Sequence, residues 1–325
     1  MPAPRVHTSI ADGRLLAFAP TGPPREDGEP VEPTASFPTA GRPLRADTAP
    51  DLRGAVYTTP DELVRVRRDG DVLWRLALGS SDDPVGPSRC ATCAFSRDGS
   101  VVWLHRPGPY FGSGATDRLH ALDAATGAVL ARTDLGRAGY WAGSLFPHPD
   151  GEHLLLSLSP MDTVDEHTFR ARFRVDGTLT VVRYGFEGFL HDLSPDGRFL
   201  ATAENDDSVT FRAFPHGTVT SRVTIGDFGY DDAFVREHDL EIGCHTAGFL
   251  DADTAVVDVH DDYGEGFHEN HVVEAATGRV VGPLPGACRH RNVQVLGDGT
   301  WLFQGRRHSY WPRVPPTPRS TQCAS

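Results

Sequence analysis

The chain has 325 residues, of which 39% are hydrophobic and 23% are charged, and its formal net charge is −13. This length is sufficient for a hydrophobic core without disulfides or structural metals, whereas the negative charge argues against non-specific binding to nucleic acid or to an anionic membrane surface. No lysine occurs in the sequence, which excludes enzymes that need a Schiff-base lysine or a phosphate-loop lysine.

The start of the chain resembles neither a signal peptide nor a membrane anchor, because residues 1–20 contain no long apolar stretch. Five cysteines without disulfide-like spacing are typical of a reducing compartment, so we predict a cytoplasmic protein. Residues 1–312 are expected to form one domain, with a flexible Pro- and Gly-rich insertion at about 20–50 and a disordered tail at 313–325.

A turn dipeptide followed by an apolar strand recurs along the chain. Asp-Gly pairs occupy positions 12–13, 98–99, 150–151, 196–197 and 298–299, and Asp253-Thr254 takes the same place in a further repeat. From Gly99 onward the repeats are spaced by 52, 46, 57 and 45 residues, near the roughly 40–50 residues of one propeller blade. The pattern predicts a series of antiparallel hairpins.

A second hairpin follows most of these strands, as where Ala121-Leu122-Asp123 turns at Thr126-Gly127 into Ala128-Val129-Leu130. This segment and residues 193–201 resemble the second and first hairpins of WD40-like and quinoprotein-like propeller repeats, without the Trp-Asp and Gly-His dipeptides of true WD40 repeats. The resemblance implies an all-β fold, a single β-propeller of four-stranded antiparallel blades whose closure protects the sheet edges.

We expect six blades, with seven as the alternative. Residues 7–18 are expected to supply the first two strands of a blade, and residues 63–67 and 72–76 its outer two. The last unit, residues 290–303, shows only two clear strands, and an N-terminal strand is expected to complete it. Three tryptophans that fall in strands are expected to pack between blades: Trp74, Trp103 and Trp301.

The first strands of propeller blades converge on a central channel, and His and Cys recur near the start of these strands. Three histidines are candidate catalytic acid–base residues, with satisfied core histidines as the alternative: His191, His245 and His290. Four residues at the same end are candidate ligand-binding residues, with core packing as the alternative for the two aromatic ones: Cys90, Tyr140, Trp141 and Arg291. Four cysteines are either a zinc site or buried thiols: Cys90, Cys93, Cys244 and Cys288.

The segment 258–271 combines carboxylates, imidazoles and glycines in a predicted loop. Oxygen-rich loops suit Ca²⁺ and His–carboxylate mixtures suit Zn²⁺ or Mn²⁺, so one of these divalent metals is the candidate cofactor, and a solvated acidic loop is the alternative. The candidate metal ligands are His260, Asp261, Asp262, His268 and His271. A second acidic segment, residues 230–239, lies in the preceding loop, where the two loops can face each other.

Two functions remain open. The sequence contains no nucleophile elbow, Gly-rich phosphate loop or HExxH motif, which favours a non-catalytic platform that binds a protein or peptide partner. The alternative is a metal- or His-assisted hydrolase or lyase that acts on a small molecule at the channel mouth. Neither nucleic acid nor a membrane is expected as a partner.

Overall fold

The computed structural model describes residues 5–19, 31–78, 91–108, 116–136, 140–160, 167–186, 188–204, 208–261, 266–286, 293–304 and 308–311. Only the backbone is described at residues 140–142, 159–160, 243–247, 303–304 and 308–311. The chain divides into two compact units. We call residues 6–19 and 33–189 the N-terminal unit, and residues 1–5, 20–32 and 190–325 the C-terminal unit.

The N-terminal unit contains four antiparallel sheets, each with its strands in chain order. The first has three strands, β1 (His7–Ala11), β2 (Arg14–Phe18) and β3 (Ala35–Pro38). The second comprises β4 (Arg45–Thr48), β5 (Gly54–Thr58), β6 (Glu62–Arg67) and β7 (Val72–Ala77). The third comprises β8 (Thr92–Phe95), β9 (Val101–Arg106), β10 (Arg118–Asp123) and β11 (Val129–Asp134). The fourth comprises β12 (Tyr140–Pro147), β13 (His153–Pro160), β14 (His167–Phe173) and β15 (Leu179–Arg183).

The C-terminal unit repeats this plan in three sheets. One comprises β16 (Phe189–Leu193), β17 (Phe199–Glu204), β18 (Ser208–Ala213) and β19 (Thr218–Thr224). The next comprises β20 (Leu240–Phe249), β21 (Thr254–Asp261), β22 (His268–Glu274) and β23 (Val280–Pro283). The last has β24 (Val293–Val295), β25 (Trp301–Gln304) and β26 (His308–Trp311). Two short helices lie between β19 and β20, a 3₁₀ helix at Ile225–Phe228 and α1 at Asp232–His238.

The predicted Asp-Gly turns join the first two strands of several sheets. In the β16–β17 turn, Gly197 adopts a φ of 80°, which L-residues with a side chain rarely adopt. The hydroxyl of Ser194 donates to Asp196 Oδ1 over 2.8 Å and accepts the amide of Phe199 over 2.9 Å. The turn is therefore closed by its own side chains, which explains why the local sequence predicts it well.

The N-terminal strands pair differently from the prediction. β3 completes the sheet of β1 and β2, and β6 and β7 pair with β4 and β5 instead. Both β3 and β4 lie within residues 20–50, where the sequence indicated an insertion. Each has only four residues, and Pro38 ends β3, so neither shows an alternation long enough to recognise. The described strands thus form seven sheets, whereas six blades were favoured; the number of blades stays a prediction.

Both faces of the β20–β23 sheet are covered by the neighbouring sheets of its unit. On one face of the β20–β23 sheet, Val257 and Val273 pack in a core cluster with Phe211 of β18. On the opposite face, Val256 packs with Trp301 of β25. Trp74 and Trp103 likewise join core clusters formed by two sheets each, which confirms the predicted packing of the tryptophans between blades.

Candidate functional site

The richest group of buried polar side chains lies at one end of the β20–β23 sheet. His260 pairs with His268 across β21 and β22, and Asp258 pairs with Asn270. Because successive residues of a strand point to opposite faces, these four residues share one face, which we call the His260 face. Glu269 and His271 of β22 lie on the other face. The predicted loop 258–271 is thus mostly two paired strands.

On the His260 face, an imidazole lies between two carboxylates. His260 Nδ1 is 3.1 Å from Asp258 Oδ2, and His260 Nε2 is 3.9 Å from Glu241 Oε2. The side chains of His260 and Asp258 are almost completely buried, whereas Glu241 is 35% exposed. A buried carboxylate beside one ring nitrogen orients an imidazole and stabilises its protonated form. The imidazole of His260 thus lies between one buried and one partly exposed carboxylate.

On the opposite face, one hydroxyl connects three side chains. Tyr230 Oη lies 2.8 Å from Glu269 Oε2 and 2.8 Å from His271 Nε2. Since an ionised carboxylate only accepts hydrogen bonds, the hydroxyl donates to Glu269 and accepts the Nε2–H of His271. Burial raises the pKa of Tyr230 well above its ordinary value, and the hydrogen bond and charge of Glu269 raise it further. The tyrosine therefore stays neutral and acts as a partly buried bridge.

The bridge ties a helical insertion to the sheet. We call residues 225–239, the 3₁₀ helix together with α1 and its C-cap, the acidic cap. Phe234 stacks on Tyr230 with ring centroids 5.9 Å apart, and both rings meet Phe267 edge-on at 5.3 and 5.6 Å. Asp231 caps α1 by accepting the amide of Phe234 over 2.8 Å. The inner side of the cap is thus aromatic and packed.

The outer side of the acidic cap carries carboxylates. Five acidic side chains are exposed there: Asp227, Asp231, Asp232, Glu237 and Asp239. Arg236 is the one basic side chain of arginine or lysine type within residues 225–239. The cap therefore presents a net negative surface next to Glu241.

The structure separates the predicted metal ligands. His260 and His268 share a face with ring centroids 6.4 Å apart, but His271 lies on the opposite face and bonds to Tyr230. Asp261 closes the strand end, because its Oδ2 accepts the amides of Gly266 and Phe267 over 2.8 and 3.0 Å. Asp262 lies outside the described residues. Asp258 and Glu241, which the metal prediction omitted, are the carboxylates nearest to His260.

The other predicted site residues are less fully described. His191 is half-buried in β16, directly before Asp192. His245 lies in β20, and Tyr140 and Trp141 lie in β12, with only their backbone described. The predicted residues Cys90, His290 and Arg291 lie outside the described residues, as does Cys288 of the cysteine set. The catalytic and ligand-binding roles of these residues stay predictions.

Sequence reasoning missed a second buried His–Asp pair, in the N-terminal unit. His105 Nε2 lies 3.1 Å from Asp117 Oδ2, and both side chains are fully buried. The other oxygen of Asp117 accepts the amide of Gly108 over 2.8 Å. His105 is the next-to-last residue of β9, just as His260 is in β21. A buried histidine beside an aspartate thus occurs at the same strand position in two sheets, although Asp258 lies in the same strand as His260 and Asp117 directly precedes β10.

Comparison with known proteins identifies the fold. The chain resembles the β-propeller domain of Cps50 (Swd1) from Myceliophteria thermophila, with 14% identity, a TM-score of 0.50, and coverage of 80% of this chain and 78% of that chain. It also resembles hydrazine synthase from Kuenenia stuttgartiensis, with 13% identity, a TM-score of 0.55 and 97% coverage of each chain. The fold is a β-propeller.

BamB from Moraxella catarrhalis is similar at 12% identity and a TM-score of 0.46, over 94% of this chain and 90% of that chain. No protein-family model matches the chain, and no curated protein matches it either. The predicted resemblance to WD40-like and quinoprotein-like propellers is confirmed at the level of the fold, and at these identities the similarity carries no information about function. Among the described residues, no helix has the length and apolar character required to cross a membrane.

Proposed function

We propose that this propeller is a non-catalytic platform for a protein or peptide partner, and that a basic segment of the partner docks on the acidic cap. The observation that supports the proposal is the cap itself. It is a helical insertion in a repeat of strands, it is tied to the β20–β23 sheet by the Tyr230 bridge, and it exposes five carboxylates and one arginine.

The cap is not required to build a blade. Strands β3 and β4, the last strand of one sheet and the first strand of the next, are joined by residues 39–44 alone, which shows that a short connection is sufficient between consecutive sheets. The cap is also preorganised, because Phe234 and Tyr230 hold it against the sheet. A preorganised surface loses less conformational entropy on binding than a flexible loop does, and this favours a role in recognition.

Charge favours a basic partner. The exposed carboxylates of the cap belong to a chain with a formal net charge of −13, and such a field attracts cationic segments and accelerates their encounter. An arginine- or lysine-rich segment is therefore the chemistry that this surface accepts best. Added salt should weaken the interaction, because exposed charges are screened.

A selection experiment tests this proposal. A phage library of random short peptides is selected on the immobilised full chain, and binders are measured by fluorescence anisotropy. We expect the selected peptides to be enriched in arginine and lysine. The double variant Asp232→Lys/Glu237→Lys should weaken their binding about tenfold or more. Peptides without basic enrichment, or unchanged binding by this variant, would contradict the proposal.

A matched control separates the cap from the overall charge. Asp61 and Asp71 are exposed residues next to β6 and β7 in the N-terminal unit. The variant Asp61→Lys/Asp71→Lys changes the net charge by the same amount as the cap variant. It should leave peptide binding within about twofold of the parent protein, since charges away from the site contribute mainly a weak, screened field.

The Asp258–His260–Glu241 arrangement favours a second candidate function, a His-assisted hydrolase. A neutral imidazole beside a carboxylate can act as a general base toward a substrate that reaches it. Hydrolysis of p-nitrophenyl acetate and p-nitrophenyl phosphate by the full chain tests this candidate, with His260→Gln as the variant. Turnover that is lost in His260→Gln supports catalysis. Absence of turnover above background would refute this candidate and leave His260 in a structural role, as for the buried His105 and Asp117.

A further inference from the structure

A second cluster of titratable side chains lies in the N-terminal unit, in the turn that joins β12 and β13. His148 Nδ1 is 3.0 Å from Asp150 Oδ2, and His153 Nδ1 is 2.7 Å from the same oxygen. The three ligand atoms lie within 4.8 Å of one another. In the part of the chain that the structure describes, no other group of three His, Cys, Asp or Glu side chains meets this criterion.

The turn does not need its two imidazoles in order to form. The equivalent turns at residues 96–101 and 194–199 have the same Asp-Gly pair, with Ser at the first position and Val or Phe at the sixth. In each, the serine hydroxyl bonds to the Asp side chain and accepts the amide of the sixth residue. Histidine replaces both flanking residues only in the β12–β13 turn among these three, which calls for an explanation other than turn formation.

Two backbone amides fix the orientation of the Asp150 carboxylate. Its Oδ1 accepts the amides of Glu152 and His153 over 2.9 and 3.0 Å, so Oδ2 is directed at the two imidazoles. One carboxylate oxygen of Asp150 is thus presented to both imidazoles.

The contacts of His148 also indicate a cation. Its Nδ1 accepts the amide of Asp150 over 3.2 Å, so this nitrogen carries a lone pair. The same nitrogen lies 3.0 Å from an ionised oxygen of Asp150. Two lone pairs at this distance repel each other unless a proton or a metal ion lies between them, and a metal ion could also contact His153 Nδ1. A metal at Nδ1 would replace the long hydrogen bond from the amide.

We propose that His148, Asp150 and His153 form a binding site for a divalent transition metal of the Zn²⁺ type. Bond lengths of about 2.0–2.2 Å place tetrahedral ligand atoms about 3.3 Å apart, so the observed 3.0 and 2.7 Å require only a small opening of the turn. Two imidazole nitrogens and one carboxylate suit Zn²⁺, Co²⁺ or Ni²⁺ rather than Ca²⁺ or Mg²⁺. Three protein ligands leave a coordination position for water.

Metal titration of the tag-free full chain tests the site. The protein is stripped with EDTA, and binding of Zn²⁺ is measured by calorimetry. Binding of Co²⁺ is measured by visible absorption. The double variant His148→Ser/His153→Val rebuilds the turn of residues 96–101, and we expect it to bind one metal equivalent less than the parent protein. The Co²⁺ bound at this site should show ligand-field bands without a thiolate charge-transfer band, which distinguishes it from any cysteine site.

A second variant keeps the result interpretable. Asp150→Asn retains an Oδ1 acceptor for the two amides but removes the ionised ligand. It should therefore also bind one metal equivalent less than the parent protein. Melting curves in EDTA should be similar for both variants and the parent, whereas saturating Zn²⁺ should raise the melting temperature of the parent protein most. Equal metal stoichiometry and equal Zn²⁺-induced shifts in parent and variants would overturn the proposal and leave the cluster as a hydrogen-bonded turn.

Discussion

Replacement of Tyr230 by Phe removes the one hydroxyl that joins the acidic cap to the buried groups of β22. The variant loses a hydrogen bond to the carboxylate of Glu269 and another to His271, each 2.8 Å long in the parent protein. A hydrogen bond to a charged group contributes about 1.5–3 kcal/mol and a neutral one about 1 kcal/mol. His271 Nε2 lies 3.5 Å from Glu269 Oε2 and can approach it directly, which recovers part of the loss.

We therefore expect the cap to lose about 2 kcal/mol of local stability, which corresponds to an about 30-fold larger population of the open state at equilibrium. Hydrogen exchange followed by mass spectrometry reports this directly, because amides in residues 225–239 exchange through local opening. The increase should be confined to the cap and the adjoining strand ends, since the aromatic packing of Phe234 and Phe267 remains.

Tyr57→Phe provides the matched control. The Tyr57 hydroxyl bonds to the backbone amide and carbonyl of Ala40 over 2.9 and 3.2 Å, and its ring is fully buried in the N-terminal unit. Its removal should accelerate exchange around residue 40 and leave the cap unchanged. If Tyr230→Phe changes exchange in residues 225–239 by less than about twofold, the bridge does not hold the cap and the preorganisation argument fails.

Three further predictions concern stability, each measured by urea denaturation unless stated. Asp192→Ala leaves Arg5, paired with it over 2.6 Å, without its partner and should cost about 3 kcal/mol; a loss below about 1 kcal/mol would refute this. Burial raises the pKa of Asp47 to about 6 despite its amide hydrogen bonds. The folded state therefore binds this proton more tightly than the unfolded state. The contribution of Asp47 to the free energy of unfolding should decrease as the pH rises from about 4 to about 6. Asp47→Asn should remove that fall, and identical pH profiles would contradict it. Gly143→Ala places a Cβ 2.8 Å from Leu156 Cδ1 and should cost about 1–3 kcal/mol; an unchanged melting temperature would show that the sheet can relax.

The sequence predicted those parts of the fold that depend on local chemistry. The turn at Asp196-Gly197 is stabilised by its own serine and by a glycine with positive φ, so its signal lies within six residues. The short strands β3 and β4 are stabilised by pairing with β2 and β5. β3 and β4 meet these partner strands only in the folded chain, so the sequence pattern does not reveal them. This explains why strands of the first two sheets were predicted to form one blade.

The candidate site was predicted only in part, because residues 258–271 were predicted as a loop, in which side chains do not alternate between two faces. Once those residues are strands, His260 and His271 must point to opposite faces. The acidic segment 230–239 was predicted as a loop, and its helix was missed because seven residues of helix are too few for a periodic signal, although Tyr230, Phe234 and His238 recur every four residues. His105 lies six residues after Gly99, and His260 lies six residues after Thr254, which takes the same place in its repeat. This shared spacing is the sequence signal for the buried histidine at position 105.

Asp192 and Asp47, whose replacement is predicted to change stability, also connect neighbouring sheets in the same way. Asp192 Oδ2 accepts the amide of Phe249 over 2.7 Å, and Asp47 Oδ2 accepts the amide of Phe95 over the same distance. In both cases the phenylalanine follows a residue with almost no side chain, Gly248 or Ala94.

Each pair joins the first strands of two consecutive sheets within one unit, 57 and 48 residues apart along the chain. An aspartate near the end of one first strand, matched to a small residue and phenylalanine about one blade length later, is therefore a spacing rule for adjacent blades. Such a rule can align propeller repeats whose outer strands share no recognisable sequence, and it identifies which pairs of positions must be exchanged together when a blade is transplanted.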